Sequence, residues 1–69
     1  MDELTNQIAV LRAGRQISQT ELAEAIGVSR KTISTVETGR FTPSVVIALK
    51  LAQFFAVPVE QIFSLKAAE

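Results

Sequence analysis

SQTELAEAIGVSRKTISTVETGR, residues 18–40, is the stretch that decides the fold. Ser18 is followed three positions later by Glu21, the S-x-x-E pattern in which the two side chains satisfy two backbone amides at a helix start. Leu22, Ala23 and Ile26 then recur at helical spacing and supply an inner face. Gly27 falls where that helix must stop, because glycine enters the left-handed conformation without a Cβ penalty. Ser29 caps a second helix, with Ile33 and Val36 facing inward and Gly39 at its end. That second helix opens on Arg30 and Lys31, long cations with no use in a core. Two helices at a fixed angle, the second basic at its N-terminal end, have the geometry that fits a DNA major groove.

Outward from this window the pattern stays helical. Leu4, Ile8 and Leu11 share one face of an expected first helix over about residues 2–13. Thr42 and Pro43 start the next segment, and a fourth helix is expected over about residues 44–55. Val45, Ala48, Leu49, Leu51, Ala52 and Phe55 are there available for burial. Val57-Pro58 breaks it, and a short fifth helix over about residues 59–64 presents Val59, Ile62 and Phe63. The tail from Lys66 to Glu69 is expected to fray. No strand signal, repeat or low-complexity segment stands out. The expected fold is all-α: five helices in a single domain over residues 1–69, with a helix-turn-helix at about residues 19–38.

Composition bounds the function. A chain of 69 residues buries only about 60% of the surface its unfolded form exposes. It has no cysteine for a disulfide and no histidine, so a zinc finger or zinc-assisted reaction is not expected. The core must come from the 48% of residues that are apolar. Without His, Cys or Tyr, only carboxylates, lysine and hydroxyls could do chemistry, and they form no recognisable constellation, so no enzyme and no cofactor is expected. The longest apolar run, Val45 to Leu49, is far below the ~20 residues of a membrane span. The acidic start MDELTNQ is unlike a signal peptide, so a cytoplasmic, nucleoid-associated location is expected.

The formal charge is zero, but it is unevenly distributed. Residues 1–11 carry Asp2 and Glu3 and no cation. Residues 12–40 carry Arg12, Arg15, Arg30, Lys31 and Arg40 against Glu21, Glu24 and Glu37. Beyond residue 40, Lys50 and Lys66 balance Glu60 and Glu69. The result is a local basic patch around the two-helix window. Cations at a helix N-terminus oppose the macrodipole by ~0.3–1 kcal/mol each, a cost easier to understand with an anion opposite.

The pattern Ile8-x-x-Leu11-Arg12, Ser18-Gln19-x-Glu21-Leu22-Ala23, Gly27-Val28-Ser29, Thr32-Ile33-Ser34, Glu37-x-Gly39-Arg40 and Pro43-Ser44 resembles the phage-repressor and Cro class of helix-turn-helix regulators, the XRE family. The likeness continues through Ala48-Leu49-Lys50-Leu51-Ala52 to Val57-x-Val59-x-x-Ile62-Phe63. The resemblance implies a sequence-specific regulator of transcription, most simply a repressor, bound to double-stranded DNA. It implies base-edge roles for Arg30, Lys31 and Thr35, and phosphate roles for Gln19, Thr32, Ser34, Thr38 and Arg40. Gln19 has bracing of the reading helix as its alternative. Arg12 and Glu37 match a pair that in this family joins helices one and three.

The chain departs from the family pattern in several places. Thr38 stands where asparagine is common. Gln16 and Ala56 stand where glycine or asparagine usually ends helices one and four. A left-handed residue there would cost about 1–2 kcal/mol, or the helices run on. Val10 and Val46 occupy positions usually polar, as surface residues or as part of an interface.

One reading surface spans too little DNA for useful specificity, and dimers of this motif set their reading helices ~34 Å apart on a pseudo-palindrome. Phe54, Val57, Val59, Phe63 and Leu65 are more apolar side chains than the small C-terminal region covers easily, so residues 54–65 are the expected dimer surface. The competing function is an antitoxin or protein-binding adaptor on the same scaffold. No small-molecule ligand is evident.

Overall fold

The computed structural model describes residues 2–67. In order these form β1 (Asp2–Asn6), α1 (Ile8–Arg15), α2 (Gln19–Ile26), α3 (Arg30–Glu37), α4 (Val45–Phe55), α5 (Val59–Ile62) and β2 (Phe63–Ala67). The five helices enclose a core of Ile8, Leu22, Ala23, Ile26, Ile33, Val36, Leu51, Phe55 and Ile62. The inner faces read from the sequence for α2 and α3 are the buried ones. Ser18 accepts from the Glu21 amide at 3.0 Å while Glu21 accepts from the Ser18 amide at 2.9 Å, closing the capping box. Ser29 and Ser44 cap α3 and α4 in the same way, each accepting from the amide three residues on.

Four helix ends share one device. Gln16, Gly27, Gly39 and Ala56 all have positive φ, between 56° and 78°. At each, the next residue donates its amide five positions back: Ile17 to Arg12, Val28 to Ala23, Arg40 to Thr35 and Val57 to Ala52. This is the Schellman arrangement. Ile17, Val28 and Val57 then pack against the core, so each reversal also contributes a hydrophobic contact. Gln16 and Ala56 therefore adopt the left-handed conformation; α1 and α4 do not run on.

The sequence reading needs correcting at both ends. Residues 2–6 are not the first turns of α1 but a strand, antiparallel to β2, with Leu4 opposite Leu65 and Asn6 opposite Phe63. Likewise α5 stops at Ile62, and Phe63 to Ala67 extend rather than coil or fray; Ala68 and Glu69 lie outside the described residues. The helical spacing of Leu4 to Ile8 concealed the strand. In the ribbon Leu4, Asn6, Phe63 and Leu65 share one face, while Thr5 and Ser64 join hydroxyls at 2.7 Å on the other. The Gln7 amide donates to the Ile62 carbonyl at 2.8 Å and ties the ribbon to the helical body.

The burial expected along α4 is also redistributed. Leu51 and Phe55 are buried, whereas Val45 (74% exposed), Val46 and Leu49 face solvent. Pro43 precedes the Ser44 cap and is not in the first turn.

Candidate nucleic-acid interface

Helix α3 is fixed to the body from three directions. From α1, Arg12 donates Nε to Glu37 Oε2 at 2.6 Å and Nη2 to Oε1 at 3.1 Å, a two-pronged ion pair. Its remaining Nη1 donates to the Ile17 carbonyl at 3.0 Å. The side chains are only 19% and 8% exposed, so the pair is held largely away from water. Hydrogen bonding to Glu37 raises the Arg12 pKa above its ordinary value; burial opposes this and the Coulomb attraction adds to it. From α2, Gln19 Nε2 donates to Glu37 Oε1 at 3.3 Å. That bond gives Gln19 the bracing role.

The third support comes from the ribbon. Asn6 Nδ2 lies 3.2 Å from the carbonyls of both Val36 and Glu37, the last turn of α3. Its Oδ1 accepts from the Ile8 amide at 3.1 Å. One side chain thus supplies donors to the orphan carbonyls of α3 and an acceptor to the start of α1. Sequence reasoning missed Asn6, although an asparagine just ahead of an apolar helical period is a start signal.

The opposite side of α3 is free. Arg30 and Lys31 are exposed in its first turn, which contains no carboxylate. Among the described residues neither side chain makes a hydrogen bond or ion pair. Arg40 is exposed just beyond its C-terminal end. Glu37, the helix's own carboxylate, is turned inward onto Arg12. The outer surface of α3 is thereby left cationic although the chain as a whole is neutral.

The hydroxyls along this surface are already engaged. Ser29 and Thr32 share a hydrogen bond at 2.9 Å. Thr35 Oγ1 donates to the carbonyls of Lys31 (2.9 Å) and Thr32 (3.1 Å). Thr38 Oγ1 donates to those of Ser34 (3.0 Å) and Thr35 (3.3 Å). A phosphate oxygen accepts but cannot donate, so Thr35 and Thr38 reach one only by leaving their own helix. Ser34 is half-buried. Phe41, which the sequence reading did not select, lies half-exposed beside Lys31 and Thr35.

The candidate dimer residues are not grouped on one open surface. Phe54, Val57 and Phe63 pack against the core. Arg15 lies over Phe54 at 5.1 Å and Phe55 at 5.4 Å, a pair of cation–π contacts. Val59 is half-buried, and Leu65 is open at 67%.

A helix-turn-helix braced in this way, with a cationic outer helix, agrees with comparison to known proteins. Residues 8–62 match the helix-turn-helix family, and the chain belongs to it, within the XRE class. An uncharacterized HTH-type transcriptional regulator of Methanocaldococcus jannaschii is 42% identical over 60 residues, covering 87% of this chain and 91% of the relative. The transcriptional repressor RstR of the cryptic phage CTXphi in Vibrio cholerae is 35% identical over 87% of this chain and 54% of its own length. Among solved structures, a presumptive DNA-binding protein from Bacteroides fragilis superposes with a TM-score of 0.78 at 31% identity, covering 88% of this chain and 98% of that one.

Proposed function

We propose that this chain is a transcriptional regulator that binds double-stranded DNA and reads the major groove with α3. The observation carrying this is the division of labour on α3: Arg12, Gln19 and Asn6 hold Glu37 and the last turn inward, while Arg30 and Lys31 project outward. In this reading Arg30 presents its planar fork to guanine O6 and N7, and Lys31 takes a base edge or phosphate. Arg40 sets register on the phosphates, with Thr32 and Ser34 close to them. Thr38 keeps its hydroxyl in the helix and contributes little to phosphate binding.

Repression by occupying a promoter is the simplest action for such a domain, and the relationship to a phage repressor supports it. The chain acts as a homodimer in this reading, since one α3 covers too little DNA. Exposed Val45, Val46 and Leu49 on α4 offer more accessible apolar surface than the C-terminal set chosen from sequence.

Selection of bound sites from random duplexes tests the reading, repeated with Arg30→Ala. An enriched pseudo-palindrome, altered at defined positions by the substitution, is the expected result. Recovery of no consensus would overturn sequence-specific binding.

A further inference from the structure

Between α3 and the loop before α4 lies a shallow groove of about 220 Å³, lined by Ser29, Lys31, Thr32, Thr35 and Phe41. No carboxylate lines it, and Lys31 is its sole cation. The hydroxyls of Ser29 and Thr32 are paired with each other, and that of Thr35 donates into its own helix. With its hydroxyl proton so engaged, Thr35 offers a ligand its methyl group and an accepting oxygen but no donor. Beside it stands the Phe41 ring, 50% exposed. On its other side Phe41 lines a second cavity with Glu3, Leu4, Val36 and Phe63, between the ribbon and the end of α3.

A half-exposed phenylalanine at the edge of a basic groove has an apolar face and no donor. In a major groove the complementary group is the C5-methyl of thymine, the one apolar feature on a base edge. We propose that Phe41 and the Thr35 methyl together form a contact for a thymine methyl, making Phe41 a specificity-determining residue outside the reading helix. This rests on the DNA-binding reading above and adds to it a base identity and a residue.

The test uses a duplex that the wild-type chain selects from random sequence. Each thymine is replaced singly by deoxyuridine, which removes one methyl and leaves base pairing intact, and binding is measured by fluorescence anisotropy. We expect one thymine per half-site whose replacement weakens wild-type binding about four-fold, the worth of one buried methyl. Phe41→Ala should bind the thymine and uracil duplexes equally, and Phe41→Leu should keep part of the difference. Circular dichroism melting of both variants verifies that each is folded, and the wild-type comparison of duplexes needs no variant. Absence of any uracil-sensitive position, or the same sensitivity in Phe41→Ala, overturns the methyl contact while leaving DNA binding intact. Failure of the wild type to select any duplex overturns the parent reading and this one with it.

Discussion

Arg12 and Glu37 meet through two nitrogen–oxygen contacts, at 2.6 and 3.1 Å, across the seam between α1 and α3. Because Glu37 also accepts from Gln19, its carboxylate is the point at which α1, α2 and α3 join. Removing one partner leaves the other charge partly buried without compensation, which in a fully buried pair costs ~3–5 kcal/mol. With the side chains here still slightly open, Arg12→Ala and Glu37→Ala should each cost about 2–3 kcal/mol, lowering Tm by at least 10 °C on the order-of-magnitude scale for a domain this size. The double variant Arg12→Met/Glu37→Leu should melt above either single one, because it leaves no orphan charge. Thermal denaturation followed by circular dichroism measures all three.

Asn6 should be intolerant of a change that reverses its donors. Asn6→Asp keeps the acceptor for the Ile8 amide but sets a carboxylate against the Val36 and Glu37 carbonyls. It should destabilise at least as much as Asn6→Ala, for which about 1–2 kcal/mol is expected from lost cap bonds. Urea unfolding ranks the two; an Asp variant as stable as wild type would mean that the bonds to α3 contribute nothing.

The helix ends predict gains as well as losses. Gln16 and Ala56 hold φ near 57° and 56°, so Gln16→Gly and Ala56→Gly should each stabilise by up to about 1 kcal/mol, relief of left-handed strain outweighing added chain entropy. Gly14 sits inside α1 with no neighbour within 4 Å of an added Cβ, and Gly14→Ala should gain about 0.5–1 kcal/mol. The same change at Gly27, with φ of 76°, should lose a comparable amount. Tm values of the four variants provide the comparison.

On DNA, Arg30→Ala and Arg40→Ala should fail differently. Arg40→Ala is expected to weaken binding evenly across sequences and to reduce the salt slope by about one. Arg30→Ala is expected to relax preference at one base pair per half-site and to cost about 1–3 kcal/mol on the preferred sequence. Binding isotherms at several salt concentrations separate the two.

If α4 carries the contact between copies, Leu49→Glu should yield a monomer that keeps its fold, since Leu49 is exposed in the single chain. Sedimentation of wild type and variant at equal concentration decides this. A wild type that sediments as a monomer at all concentrations would remove the dimer.

What the sequence disclosed followed the range of the interactions. Ser18 with Glu21, Ser29 with Thr32, and the turn at Gly27 are bonds between near neighbours, so residue types at fixed spacing sufficed. The ribbon unites residues about sixty positions apart, and five residues such as DELTN show too little alternation to declare a strand. Asn6 escaped for the same reason: what it holds lies thirty positions away. Helix α4 failed differently. VVIALKLAQFF is apolar around most of its circumference, so no periodicity distinguishes the inward Leu51 and Phe55 from the outward Val45 and Leu49. Phe41 lies in a loop, where apolar spacing has no meaning.

The pairing of β1 with β2 also sets an order of events during synthesis. The helices around the turn at Gly27 touch one another over short stretches of chain and can assemble on the ribosome. Asp2 to Asn6 are made well before their strand partners at residues 63–67. Until then β1 lacks its backbone partner, and Asn6, the brace at the end of α3, hangs from an unpaired segment. Helix α3 therefore receives this support only after residues 63–67 have been made.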